Sequence, residues 1–149
     1  MAHPKITFVL ADGATARWVA RDHETQAFRT VREAHFQERP PLAQGGTVHE
    51  SAAHGRHGLH ERSAAADRRR EAFAAELAEQ LNRQAARADE ILALVAPPRM
   101  LNALRARLSA PARSKLGASL SKDLTKVPDG QLSDWLVPLE LKAGASAEV

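Results

Sequence analysis

Apolar positions along the 149-residue chain change period several times, and each change marks an element. Lys5 to Leu10 is almost continuously apolar after its first residue and predicts a strand. Ala11-Asp12-Gly13 reads as a turn, and Thr15 to Arg21 alternates with β-favouring residues. The two segments therefore predict a hairpin. Asp22-His23-Glu24-Thr25 makes the next turn. Gln26 to Ala34 sets Phe28 and Val31 among charged residues, which predicts a third, more exposed strand. Together these strands form an N-terminal antiparallel meander.

The pattern then lapses over residues 36–62, which hold Pro40-Pro41, Gly45-Gly46, Gly55 and Gly58 and few large apolar side chains. A long loop is expected there, and long loops in compact domains are commonly functional or disordered. Helical periodicity starts at Ser63, a candidate cap, and runs to about Arg87 with Phe73, Leu77 and Leu81 on one stripe. Ile91 to Val95 is an apolar strand closed by Pro97-Pro98. Arg99 to Leu108 predicts a short helix with Leu101, Leu104 and Leu108 inward, broken by Pro111. Ser114 to Leu120 alternates as a returning strand, and Gly130 to Leu139 predicts a last helix. The fold class is therefore α/β. One domain over 1–141 holds a mixed sheet of about five strands, the meander plus parallel strands, with about three helices. The small, polar tail 142–149 is expected to be disordered.

Composition narrows the function little. Hydrophobic residues make up 44%, but aromatics only 4%, so the core is aliphatic and stacking platforms for single-stranded nucleic acid are scarce. The chain has no cysteine, which excludes disulfides and thiolate chemistry and fits a reducing, cytoplasmic location. The apolar run Ile6 to Ala11 is shorter than the roughly 7–15 residues of an export signal. No stretch approaches the roughly 20 apolar residues of a membrane span. Arginines dominate the basic residues, with a net charge of +3.

Three segments carry a family resemblance. The first is ITFVLADGATARWV, a strand, an Asp-Gly pair and an Ala-Arg-rich strand. The second runs from Phe73 to Pro98, a Phe-bearing helix followed by a strand ending in Ala96-Pro97-Pro98. The third holds Leu101, Leu104 and Arg105, then Lys122-Asp123-Leu124-Thr125. In this order and spacing they resemble the bacterial host attachment protein family, proteins required for attachment to host cells. That family is in turn similar to the middle domain of archaeo-eukaryotic release factors, whose Gly-Gly-Gln loop promotes peptidyl-tRNA hydrolysis. The comparable loop here reads Gln44-Gly45-Gly46-Thr47, with no glutamine after the glycines. The resemblance thus implies a non-enzymatic module directed to the ribosome or tRNA, without the hydrolytic role. The alternative partner is an unknown protein, through which attachment would be supported indirectly.

Among individual residues, Arg56, Arg62, Arg68, Arg69 and Arg70 cluster in sequence, and Arg99, Arg105, Arg107, Arg113 and Lys115 form a second group. Folded together, they would make a face that follows a phosphate backbone in a salt-dependent manner. His54, His57 and His60 recur every third residue with metal-binding chemistry, but Gly55 and Gly58 between them and Arg56 and Arg62 beside them weaken the site. Asp12 and Asp123 follow predicted strands, where paired carboxylates can hold magnesium for hydrolysis. Against that, Asp12-Gly13 is an ordinary turn, and Lys122 beside Asp123 suggests salt bridging. No Gly-x-Ser-x-Gly elbow or phosphate-loop lysine is present, and no cofactor is expected.

Overall fold

The computed structural model describes residues 5–36 and 55–148, the side chains of the second segment over 62–145. Its five strands are β1 (Ile6–Ala11), β2 (Thr15–Arg21), β3 (Phe28–His35), β4 (Ile91–Ala96) and β5 (Leu116–Ser121). They form one sheet in the order β3-β2-β1-β4-β5. The meander β1-β2-β3 is antiparallel, and β4 and β5 add to it in parallel. The helices are α1 (Gly55–Arg87), α2 (Pro98–Arg107), α3 (Ala110–Lys115) and α4 (Ser133–Glu148), with a 3-10 turn at Asp129–Gln131.

Strand alternation builds a core on each face of the sheet. Val9, Ala11, Trp18, Leu94 and Ala96 face Phe73, Leu77 and Leu81 of α1 and Met100, Leu101 and Leu104 of α2. Phe8, Leu10, Val19, Ala93 and Val95 face Leu124, Leu132, Leu136 and Leu139 on the other side. β4 is thus apolar at every position, and β1 at every position but Thr7, because both their faces are covered.

Three boundaries differ from the sequence reading. The first helix starts at Gly55, not at Ser63, so residues 55–62 of the expected loop are helical. Once the packed Phe73–Leu81 stripe nucleates the helix, each further residue adds one hydrogen bond at small cost, and two glycines do not stop it. Residues 37–54, the rest of that loop, lie outside the described residues. Pro111 opens a helix of its own: Ser109 caps α3, its hydroxyl accepting from the Ala112 N–H at 3.3 Å, and Pro111 fills the first turn. The C-terminal helix runs on to Glu148 where a disordered tail was expected. Ala143 on that helix is fully buried, which anchors it.

Gly117 makes this anchoring possible. A Cβ there would lie 2.6 Å from Ile91 Cγ2 and 3.1 Å from the Ala143 carbonyl oxygen. The edge strand β3 is blunted by a register shift opposite Trp18/Val19 and by Asp129, whose carboxylate accepts the Thr30 backbone N–H at 3.0 Å. Gly117→Ala should lower stability by about 1–3 kcal/mol through overpacking. Urea denaturation checks this as a lower midpoint at unchanged slope.

Candidate functional site

The parallel strands β1, β4 and β5 end at the same edge of the sheet, and each hands its polar continuation to one cleft. After β1 come Asp12 and Gly13, after β4 come Pro97 and Pro98, and after β5 come Lys122 and Asp123. The Lys122 N–H donates to the Ala96 carbonyl at 3.0 Å, so the β4–β5 ladder continues into this rim. The cleft has a volume of about 500 Å³ and is lined by Asp12, Gly13, Arg70, Pro97, Pro98, Arg99, Met100 and Asp123. A second, open groove of about 620 Å³ runs between α1 and α2 past Arg70, Glu71, Arg99, Asn102 and Arg107. The two adjoin at Arg70 and Arg99, which line both.

The arginines expected to form one basic face fall into three groups. Arg70 and Arg99 converge on Asp67, at 2.6 and 3.8 Å, and Arg107 pairs with Glu71 in the same groove at 3.1 Å. The buried Nε–H of Arg70 has no acceptor among the described residues. Arg68 and Arg69 instead flank Phe36 in a small hollow on another side of α1. Arg105 and Arg113 lie together beside Leu108 and Leu116, with Arg105 donating to the Ser119 hydroxyl. Arg62 is an exposed residue of α1. Lys115 caps the end of α1 through the Ala85 and Ala88 carbonyls. Arg56, His57 and His60 belong to α1, but their side chains lie outside the described set, as do His54 and Gln44, Gly45 and Gly46 entirely. Among the described residues no group of three or more histidine or acidic side chains could hold a metal ion.

Asp12 and Asp123 are brought together, and a residue not singled out in sequence joins them. The Thr125 hydroxyl lies 3.1 Å from Asp12 Oδ2 and 2.6 Å from Asp123 Oδ1. Lys122 does not bridge to Asp123; its ammonium sits 5.2 Å from the Trp135 ring centroid. Asp12 Oδ1 also accepts the Ala14 and Thr15 N–H groups at 2.8 and 2.7 Å. Burial raises the Asp12 pKa, but these backbone donors and the Thr125 and Thr15 hydroxyls outweigh it and hold the carboxyl below its ordinary value.

A family model described as "protein required for attachment to host cells" matches residues 7–136, which span the whole sheet and the cleft. The chain belongs to the host attachment family. A comparison with proteins of curated function returns no match. No helix among the described residues of this family member is long and apolar enough to cross a membrane.

What holds the family's β5–α4 segment against the sheet is Arg17, a residue that sequence reasoning passed over. Its guanidinium is largely buried and donates to the carbonyls of Leu124, Thr125 and Val127 at 3.0, 3.1 and 2.6 Å. It also donates to the Thr30 hydroxyl and, at 2.5 Å, to Asp129. Its one visible signal was a cation inside the apolar run of β2, because all its partners but Thr30 lie more than a hundred residues away. Arg17→Met keeps the apolar stem and removes the donors. It should cost about 2–4 kcal/mol in urea unfolding, with faster amide exchange over residues 122–131.

Asp129 feels burial, which raises its pKa, and the Thr30 hydroxyl, the Thr30 N–H and Arg17, which together lower it further. Its folded pKa lies below the unfolded value, as does that of Asp12. Both contribute stability that is complete above the ordinary aspartate range and drains away as pH falls through the depressed values. The steepest loss of melting temperature should therefore come below about pH 4. Asp129→Asn should flatten that limb in a pH series of thermal melts.

Proposed function

We propose that the chain is a non-enzymatic binding module that grips the phosphate backbone of structured RNA, on the ribosome or a tRNA. The reading rests on one observation: Arg70, Arg99 and Arg107 converge from two helices on one groove. Arginine guanidinium groups are suited to phosphate oxygens, and an open groove lined by them follows a backbone without reading bases. The scarcity of exposed aromatics favours a charge- and shape-driven contact over stacking on unpaired bases. Similarity of the family to release factor middle domains supports the same partner class, and the cysteine-free composition supports a cytoplasmic site of action. The attachment named in the family's description would then follow from this intracellular role. The paired carboxylates fit a metal-dependent hydrolase less well, since no third acidic or histidine ligand stands beside them among the described residues.

Co-sedimentation with ribosomes from cell lysate tests the reading. The wild-type chain should pellet with ribosomes at low salt and leave them at high salt, because counterion release sets the affinity. The variant Arg99→Ala/Arg107→Ala should lose most of the low-salt association with an unchanged melting temperature, since Arg99 is 77% and Arg107 44% exposed. Absence of the wild type from every ribosomal fraction at low salt overturns the proposal and leaves a protein partner as the better reading.

A further inference from the structure

The cleft joined to this groove contains carboxylates, and phosphate binding does not explain them. Asp12 and Asp123 would repel a backbone that the arginines attract. Both groups are acceptors only, and between them they share the single proton of the Thr125 hydroxyl. That hydroxyl can satisfy one carboxylate at a time, and Asp123 Oδ2 takes no hydrogen bond among the described residues. Asp123 is exposed, so the cleft presents a carboxylate oxygen to solvent beside a pair of cations. The carboxylates line this cleft together with Arg70 and Arg99, and Pro97, Pro98 and Met100 add apolar surface. Its volume of about 500 Å³ is in the range of small-ligand sites.

We infer that this cleft takes one ribonucleotide unit of the bound RNA and reads its 2′-hydroxyl. The phosphate lies toward Arg70 and Arg99, and the 2′-hydroxyl of the same nucleotide donates to the carboxylates. The sugar packs on Pro97, Pro98 and Met100. The 2′-hydroxyl is the group by which a protein separates RNA from DNA, and a carboxylate accepts it in a charge-assisted hydrogen bond. This inference rests on the groove reading and adds to it a reason why the partner is RNA.

The test is fluorescence anisotropy with an RNA hairpin and the same hairpin carrying 2′-fluoro groups, which keep the A-form but cannot donate. Chelator is included so that no divalent cation bridges the carboxylates. The wild-type chain should bind the hydroxyl-bearing hairpin about tenfold more tightly, the scale of one charge-assisted hydrogen bond. Asp123→Ala should bind both hairpins alike, and no more weakly than the wild type binds the fluoro form. Asp123→Asn keeps an acceptor for the Thr125 N–H, bonded at 3.0 Å, and should lose the preference with the local turn intact, so it serves if the alanine variant is unstable. Equal binding of the two hairpins by the wild type overturns the cleft assignment and leaves the groove standing. A preference that survives in Asp123→Asn also overturns it. Binding of neither hairpin overturns the cleft and the groove together.

Discussion

A single buried guanidinium, that of Arg17, holds the functional end of the molecule in place. The segment between β5 and α4 has little regular structure, so its carbonyls lack ladder partners, and buried carbonyls need donors. Arginine presents five N–H groups in a rigid fork, and Arg17 directs them at Leu124, Thr125 and Val127 together with Thr30 and Asp129. Leu124, fixed in this way, is fully buried in the second core. Thr125, its neighbour, is then delivered to Asp12 across the end of β1. The position of the carboxylate pair therefore depends on a cation in β2 that touches neither carboxylate.

The opposite end of the sheet is organised for stability. Glu90 is almost fully buried just before β4, accepts the Thr7 hydroxyl at 2.7 Å and is also bonded by the Gln84 amide. Gln84 in turn accepts the Trp18 indole N–H at 3.1 Å. This chain of bonds ties β1, β2, α1 and the start of β4 together. Lys115 closes the end of α1 nearby. One end of the parallel strands is thus cross-linked by polar bonds and the other opened by turns, and the cleft lined by Asp12 and Asp123 lies at the carboxyl end, the usual place for binding in open α/β sheets.

The strands were legible in the sequence because their signals are local: period-two alternation in β2, a largely apolar run in β1 and an unbroken one in β4. The helix stripe of Phe73, Leu77 and Leu81 was legible for the same reason. Helix ends were less so, because Gly55, Pro111 and Ala143 take their roles from context. The glycine lies in a helix driven from elsewhere, the proline sits where a cap makes it welcome, and the alanine is held by a glycine in another element. The site divides similarly. Asp12 and Asp123 could be paired from their places after strands. The grouping of arginines could not, since adjacency along a helix sends Arg69 and Arg70 to different faces, whereas Arg70 and Arg99, far apart in sequence, share one carboxylate.

This division of the arginines also bears on what kind of ligand the molecule suits. A uniformly basic face would attract any polyanion. Here the groove cations are partly balanced by Asp67 and Glu71, which hold the guanidinium groups in fixed directions and lower the net charge. On the proposed reading geometry therefore counts for more than bulk potential, and a phosphate must arrive at the right spacing to displace or share these pairs. The carboxylates sharpen this further, since any anion too large or too uniformly charged for the cations meets repulsion from Asp12 and Asp123. On the proposed reading, a ligand that alternates phosphate with hydroxyl donors along its length suits both the cations and the carboxylates, and an RNA backbone has that alternation at every nucleotide.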